Sequence, residues 1–280
     1  MKIKILGSGG GEGYPATFCS CAHCEKAREV GGKSLRSLSQ TIINDDLLID
    51  FPTDTDMHAV KNGLNLGKIE NVIITHAHRD HFVPLTVASR GGHNAHNLMY
   101  EKLYFWGPEN LEKFFDASVN PYGIQKSRRE NVVFKVTEDK KSYQIGKYRV
   151  TAFTAMHAPA LGSLNYVIED GESSLLYILD SGYPTEETLA FLGERESPFD
   201  AVIMDGTSGV LPPQSIIYHM GFEENKMLKA ELIKRGAANE KTRFVTNHIT
   251  HNEAEHHEKI EELFEGSGIE VAYDGYEFEI

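Results

Sequence analysis

Residues 76–81 read HAHRDH, which places four potential metal ligands within six residues. In an extended segment, side chains two residues apart point the same way, so His76 and His78 can bind one ion. Asp80 and His81 lie where the chain turns toward a predicted helix, and they can reach a second ion. Imidazole and carboxylate ligands suit zinc, iron or manganese. The alternative interpretation, a polar loop in solvent, is disfavoured by further ligand-type residues elsewhere in the chain.

Short apolar runs predict buried strands at residues 4–6, 47–49, 72–74, 148–153, 175–179, 201–204 and 243–245. Residues of metal-ligand type follow several of these runs, namely Asp50, His76, Asp180, Asp205 and His248. Loops that leave one edge of a rigid sheet are where α/β proteins build their sites. We therefore expect a shared site at one edge. For Asp205 alone, capping of the following loop is the simpler interpretation.

Helical patterns at 184–192, 223–235 and 253–264 lie among the predicted strands, which favours sheets covered by helices in an α/β fold. An Asp-Gly pair at 274–275 between apolar runs predicts a hairpin. Because no repeat or low-complexity linker interrupts the chain, we expect one domain over residues 1–280.

The sequence has 280 residues, 40% of them hydrophobic and 25% charged, with a formal net charge of -13. This acidity argues against a nucleic-acid partner, since phosphate binding depends on clustered Lys and Arg. It permits a small anionic substrate, because metal ions can supply local positive charge. The chain has no apolar run near 18 residues, so we expect no membrane partner. Lacking a secretory signal pattern, it is expected in the cytoplasm. A homodimer is compatible with the sequence.

Three cysteines, Cys19, Cys21 and Cys24, lie within six residues and cannot all pair among themselves. In a reducing compartment, such a cluster indicates a metal site, here in a zinc-binding loop at about 13–30. A closed zinc site needs a fourth ligand. His23 is nearby but lies inside a tight loop, and His251 is the better candidate. Three inert buried thiols are the alternative.

The glycine-rich stretch 7–13 suggests a dinucleotide fingerprint, but Glu12 stands where that motif requires a glycine. The glycines are better interpreted as letting the backbone bend around the cysteine loop.

The spacing His-x-His-x-Asp-His, with later His, Asp and His residues, resembles the metallo-β-lactamase superfamily over essentially the whole chain. The resemblance implies an αββα sandwich with two central mixed β-sheets flanked by helices. It also implies seven metal ligands: His76, His78 and His157 for the first ion, Asp80, His81 and His248 for the second, and Asp180 between them. Asp50 matches an early aspartate that supports the metal loop of the family.

Residues 7–15, followed by the spacing Cys-x-Cys-x-x-Cys, resemble the PhnP branch, the phosphoribosyl cyclic phosphodiesterases. That branch has a structural zinc, whose ligands match Cys19, Cys21, Cys24 and His251. The resemblance implies a phosphodiesterase in which hydroxide, held by two divalent ions (Zn²⁺, Mn²⁺ or Fe), cleaves a small, cyclic phosphodiester. Asp80 and His219 match catalytic positions, and His219 is expected to act as a general acid or a phosphate contact.

Three alternatives remain open at this point. The first is a tRNA 3′-processing endonuclease, although only 22 residues, 158 to 179, lie where that family carries its RNA-binding arm. The second is a lactone or thioester hydrolase of the same superfamily. The third is a non-catalytic zinc-binding protein related to PqqB, which has a similar cysteine motif but a degenerate metal signature.

Overall fold

Two seven-stranded β-sheets pack face to face in the computed structural model, which describes the backbone of residues 1–280 and every side chain except Tyr122 and Ser127. The first sheet contains, in spatial order, β14 (Glu277–Glu279), β1 (Lys2–Gly7), β2 (Gln40–Ile43), β3 (Leu47–Ile49), β4 (Asn71–Ile73), β5 (Leu103–Gly107) and β6 (Val132–Val136). The second contains β13 (Ile269–Val271), β12 (Arg243–Asn247), β11 (Ala201–Asp205), β10 (Ser174–Ile178), β9 (Leu164–Glu169), β8 (Tyr148–Thr154) and β7 (Lys141–Ile145).

Helices cover the outer faces of both sheets. They are α1 (Ala22–Val30), α2 (Thr55–Asn62), α3 (Leu111–Val119), α4 (Lys126–Glu130), α5 (Glu186–Gly193), α6 (Phe222–Lys234) and α7 (His257–Leu263). One apolar core lies between the sheets and includes Ile5, Ile49, Tyr166 and Ile203. Two further cores lie outside them, one beneath α5 and α6 and the other beneath α3. The expected αββα sandwich of two mixed sheets is confirmed.

The two sheets share one pattern of strand directions. Strands β3 to β6 are parallel neighbours in the first sheet, and β10 to β13 are parallel neighbours in the second. The remaining neighbours in each sheet are antiparallel. Because parallel strands end at the same edge, β3, β4, β10, β11 and β12 direct their carboxyl ends to one rim of the sandwich.

All seven predicted strands are present within a residue or two of their expected ends. The predicted helix at 253–264 is shorter, because α7 begins only at His257, and the segment after Pro84 forms a 3-10 helix, Pro84–Ser89. The predicted hairpin at Asp274-Gly275 is wrong. Strand β13 pairs with β12 in the second sheet, whereas β14 pairs with β1 in the first. The Asp-Gly turn therefore carries the chain from one sheet to the other.

Across the part of the chain that the structure describes, no helix combines the length and the apolar character that a membrane crossing requires.

We predict that urea unfolds the protein in one transition, because the central core draws side chains from both sheets. Trp106 is the single tryptophan and lies on β5 of the first sheet, so its fluorescence reports mainly on that sheet. Far-UV circular dichroism reports on both sheets. The two transitions should coincide in saturating zinc. A fluorescence midpoint clearly below the dichroism midpoint would contradict the single domain expected for residues 1–280.

Candidate metal centre

Three residues that follow the parallel strands leave them through an unusual backbone conformation. Asp50, Asp180 and His248 have φ angles of 65°, 51° and 61°, in the left-handed region that residues other than glycine seldom adopt. Asp50 comes directly after β3, Asp180 lies two residues beyond the end of β10, and His248 comes directly after β12. Such conformations persist only where the surroundings enforce them, and they concentrate at functional sites. Here they turn three polar side chains into the rim between the sheets.

A first group of side chains consists of His76, His78, His157 and Asp180. His76 Nε2 lies 2.8 Å from His78 Nδ1, and His157 Nε2 lies 3.2 Å from the same atom. Asp180 Oδ2 is 3.1 Å from His76 Nε2 and 3.2 Å from His157 Nε2. Four potential metal-ligand atoms, carried by loops that follow strands of both sheets, therefore face a common point.

A second group consists of Asp80, His81, His248 and again Asp180. His81 Nε2 lies 3.0 Å from Asp80 Oδ2, 3.2 Å from Asp180 Oδ2 and 3.3 Å from His248 Nε2. All four side chains are buried. Because Asp180 Oδ2 also contacts the first group, this carboxylate oxygen is shared by the two groups.

The distances between the nitrogen and oxygen atoms within each group are those expected between ligands of one metal ion. With Zn–N bonds of about 2.0–2.1 Å, two ligands of a tetrahedral ion lie roughly 3.3 Å apart. The separations within the groups run from 2.8 to 3.8 Å and bracket that value. In addition, Asp180 Oδ1 is buried and accepts no well-aligned hydrogen bond, although His219 Nδ1 lies 3.1 Å away. A buried carboxylate oxygen without such a partner is costly unless a cation or proton satisfies it.

Protonation states in the first group also suit cation binding. Burial, followed by the charge of His81, lowers the pKa of His76 to about 4, and burial lowers the pKa of His157. Both imidazoles are therefore neutral at pH 7 and keep a lone pair for a metal. Burial alone would raise the pKa of Asp180, but the surrounding imidazoles, His248 foremost, hold it well below its usual range.

A second layer of hydrogen bonds orients these side chains. Asp50 Oδ2 lies 2.8 Å from His81 Nδ1, and Asp50 Oδ1 accepts from the backbone N–H of Thr75. Thr207 Oγ1 lies 2.7 Å from His248 Nδ1. Each contact leaves the opposite ring nitrogen, Nε2, directed into the rim, which is how metal-binding histidines are usually held. The position predicted for Asp50 therefore agrees with a supporting role.

His219 lies beside the shared carboxylate and is partly exposed. Its Nδ1 is 3.1 Å from Asp180 Oδ1 and 3.2 Å from Asp205 Oδ2. Burial lowers the pKa of His219, but these two carboxylates outweigh it and raise the pKa to about 10. Asp205 does cap its loop, accepting from the Thr207 N–H at 2.7 Å, but its other oxygen also faces His219. The interpretation of Asp205 as only a loop cap was incomplete.

The cysteine cluster lies beside this rim. His251 Nδ1 is 3.6 Å from Cys19 Sγ and 3.5 Å from Cys21 Sγ, and Cys24 completes the group. With Zn–S bonds near 2.3 Å, sulfur and nitrogen ligands of one ion lie roughly 3.6 Å apart. His23 Nδ1 instead lies 2.9 Å from the backbone oxygen of His251. Between the two candidates for the fourth position, the geometry favours His251.

The structure thus brings together all seven side chains predicted to hold two ions, and separately the four predicted for a structural zinc. Sequence reasoning did not anticipate Thr75 and Thr207, nor the contact of Asp205 with His219. Thr75 had a local signal, since it directly precedes His76. Thr207 had none, because its partner His248 lies 41 positions away in the chain. Asp205 carried the signal of a polar residue at a strand end, but nothing local paired it with His219.

The comparisons with known proteins agree with this architecture. A model of the beta-lactamase superfamily domain matches residues 48–268. Ribonuclease Z of Enterococcus faecalis (strain ATCC 700802 / V583) is 27% identical over 164 residues, which are 55% of this chain and 47% of that protein. The matched region therefore spans about half the length of this curated relative.

Solved structures share the fold over the full length. A diphosphatase from the PhnP family gives a TM-score of 0.73 at 18% identity, covering 100% of this chain and 97% of that one. Zinc-bound PqqB from Methylobacterium extorquens gives 0.69 at 18% identity, with 100% of each chain covered. The short form of human tRNase Z gives 0.65 at 16% identity, covering 100% and 99%. At such identities the likeness concerns the fold.

We predict that Asp50→Asn lowers the metal affinity of the second group by about 10- to 100-fold, since a second-layer carboxylate orients its histidine. Asparagine tolerates the left-handed backbone of Asp50, so the change removes charge with little distortion. Competition with a chromogenic chelator measures the affinity. Asp45→Asn is the matched control, because Asp45 also has a positive φ, 59°, but is exposed in the turn between β2 and β3. Equal affinities in the two variants would refute the orienting role.

Proposed function

The chain belongs to the beta-lactamase superfamily, and from this premise we propose that it is a metal-dependent hydrolase that cleaves a small phosphodiester. The observation that carries the proposal is the sharing of Asp180 Oδ2. This oxygen lies 3.1 Å from His76 Nε2 in the first group and 3.2 Å from His81 Nε2 in the second. A carboxylate shared in this way suits a pair of divalent ions, which is a common arrangement in enzymes that cleave phosphate esters.

Phosphorus chemistry is favoured by the kinds of protein that this chain resembles. One is named a ribonuclease Z and another a diphosphatase. Both names describe cleavage at a phosphorus–oxygen bond. A lactone or thioester hydrolase is the alternative within the superfamily, and only a substrate test distinguishes the two.

A small, cyclic substrate is favoured over RNA. The formal net charge of -13 would repel a long polyanion. The 22 residues between His157 and Asp180, 158 to 179, are largely used by a 3-10 turn, Pro159–Leu161, and by strands β9 and β10. They leave no arm for gripping tRNA. We therefore propose a small-molecule substrate, without a nucleic-acid or membrane partner.

Divalent ions bound here would act as Lewis acids that activate water and neutralise phosphoryl oxygens. The protein contributes the side chains that would hold these ions in place. His76, His78 and His157 would hold one ion, and the second group would hold the other, with Zn²⁺, Mn²⁺ or Fe as candidates. Asp80, whose Oδ2 lies 3.0 Å from His81 Nε2, is proposed to take part in catalysis by holding the second ion near the reacting phosphate.

His219 is proposed as the proton donor to the leaving oxygen. Its Nδ1 faces Asp205 and Asp180, so Nε2 is the nitrogen directed away from both carboxylates. Asp205 is buried and has its Oδ2 fixed by the Ser181 N–H at 2.9 Å, so it can hold the ring in one orientation. An alkoxide leaves poorly without a proton, and a donor held in this way supplies it.

The cysteine group is proposed as a structural Zn²⁺ site formed by Cys19, Cys21, Cys24 and His251. The backbone N–H of Cys24 lowers the pKa of the Cys21 thiol to about 6, so a thiolate is available at neutral pH. A zinc-binding protein without catalysis is the competing hypothesis. It predicts metal at the cysteines and none at the His/Asp groups.

A substrate panel tests the activity. Purified protein loaded with zinc, manganese or iron is assayed on bis-p-nitrophenyl phosphate, cyclic nucleotides, lactones, thioesters and precursor tRNA. We expect hydrolysis of phosphodiesters, which Asp180→Asn should reduce to background with unchanged circular dichroism, because the shared ligand is lost. Asp45→Asn should retain full activity. Cleavage of lactones, thioesters or precursor tRNA alone, or full activity of Asp180→Asn, would overturn the proposal.

His219→Ala should lower turnover by about 10²- to 10⁴-fold on cyclic nucleotides, whose leaving alkoxide needs a proton. Its effect should be far smaller on bis-p-nitrophenyl phosphate, because nitrophenolate leaves readily without one. Metal content should not change. His96→Ala, at an exposed loop position, serves as the control. A similar loss on both substrates would show that His219 does not act as the acid.

A further inference from the structure

A backbone segment joins the cysteine group to the candidate active site. We call residues 9–13, of sequence GGGEG, the glycine strap. It is anchored to the loop that carries His248 and His251, because Gly9 bridges to Ile249 and the Gly10 N–H donates to the Ile249 oxygen at 3.1 Å. The strap therefore lies against the segment that contributes His248 to the second group and His251 to the cysteine group.

The strap passes close to ligands of the second group. A Cβ added at Gly10 would lie 2.6 Å from Thr250 Cγ2 and 3.4 Å from His248 Cε1, and one added at Gly11 would lie 3.3 Å from Asp80 Oδ2. Neither glycine has a positive φ, so close approach, and not backbone conformation, explains the absence of side chains there. The strap thus forms a wall against Asp80 and His248.

Glu12 connects this wall to the cysteine group. Its Oε1 lies 3.3 Å from His251 Nε2 and accepts from Asn252 Nδ2 at 2.9 Å. The other ring nitrogen of His251, Nδ1, faces Cys19 and Cys21. A carboxylate that binds the outer nitrogen of a ligand histidine fixes its tautomer and orientation. Glu12 is therefore placed to keep His251 Nδ1 directed toward the thiols.

Gly9, Gly10 and Gly13 are buried, whereas the tip of the strap, Gly11 and Glu12, is only partly buried. A cavity of about 320 Å³ borders it and is lined by Gly11, Glu12, Gly13, Ser37 and Arg79, among others. Arg79 Nη2 reaches the Gly11 oxygen only at 3.4 Å. Backbone hydrogen bonds hold Gly9 and Gly10, and the contact of Glu12 with His251 and Asn252 adds a side-chain anchor at the tip of the strap.

We propose that Glu12 is a positioning residue that couples the cysteine site to the second metal position of the active site. The inference rests on the metal sites of the proposed function. Metal at the cysteines fixes His251, His251 fixes Glu12, and Glu12 holds the strap against Asp80 and His248. No hydrogen bond or ion pair joins the strap to His76, His78 or His157 among the side chains that the structure describes, so the first metal position should be independent of it.

Cobalt substitution and chelator competition test this coupling without an activity assay. Thiolate-to-cobalt charge-transfer absorption reports the cysteine site, and visible ligand-field bands report the active site. Glu12→Ala should weaken cobalt binding at the cysteines by about 10- to 100-fold, with a smaller loss in Glu12→Gln, which keeps the shape and an acceptor oxygen. The second active-site ion should weaken with it, and the first should not. Spectra of His78→Ala and Asp80→Ala identify which ion is lost.

The matched control is Glu255→Ala, since Glu255 is exposed and near His251 in sequence and forms no hydrogen bond or ion pair among the described side chains. Equal cobalt affinity at the cysteines in Glu12→Ala and Glu255→Ala would overturn the orienting role. A weakened cysteine site with both active-site ions unchanged would overturn the coupling.

A double-variant cycle checks the route. If the coupling passes through one chain of contacts, Glu12→Ala combined with Cys21→Ser should weaken the second active-site ion no more than either change alone. Additive losses would contradict the shared route. Failure of the wild-type protein to bind cobalt at the cysteines, or at the His/Asp groups, would instead refute the metal sites of the proposed function.

Discussion

The Asp180 carboxylate is the point on which the rest of the site depends. It leaves β10 in a left-handed conformation and places one oxygen 3.1 Å from His76 of the first sheet and 3.2 Å from His157 of the second. Such an arrangement requires two sheets whose parallel strands end at the same rim. The apolar core between the sheets fixes that rim, so the free energy of packing also maintains the geometry of the donor atoms.

Much of this arrangement could be predicted from sequence. The runs 47–49 and 72–74 are continuous and apolar; Asp50 follows the first directly, and His76 follows the second after Thr75. Some missed strands have mixed or charged composition, such as β6 and β7, whose exposed residues hide the pattern. Strand β5, of sequence LYFWG, was missed although it is apolar. His157 and His219 were located by family resemblance, because a single histidine in a loop has no spacing of its own to indicate a site.

Non-local contacts account for the remaining differences. Asp274-Gly275 is a strong local turn signal, but the strands on either side find better partners in opposite sheets, so a hairpin does not form. The contacts of Asp205 with His219 and of Glu12 with His251 join residues 14 and 239 positions apart, respectively. The same long-range pairing that closes the sandwich thus brings the cysteine loop and the candidate active site onto one shared wall.

The most direct test of the account is anomalous diffraction at the zinc absorption edge, from crystals grown with zinc. The account predicts two peaks about 3.5–4 Å apart, one among His76, His78 and His157 and the other among Asp80, His81 and His248, with Asp180 in contact with both. Density without anomalous signal at this rim, or a single ion that Asp180 does not touch, would contradict it.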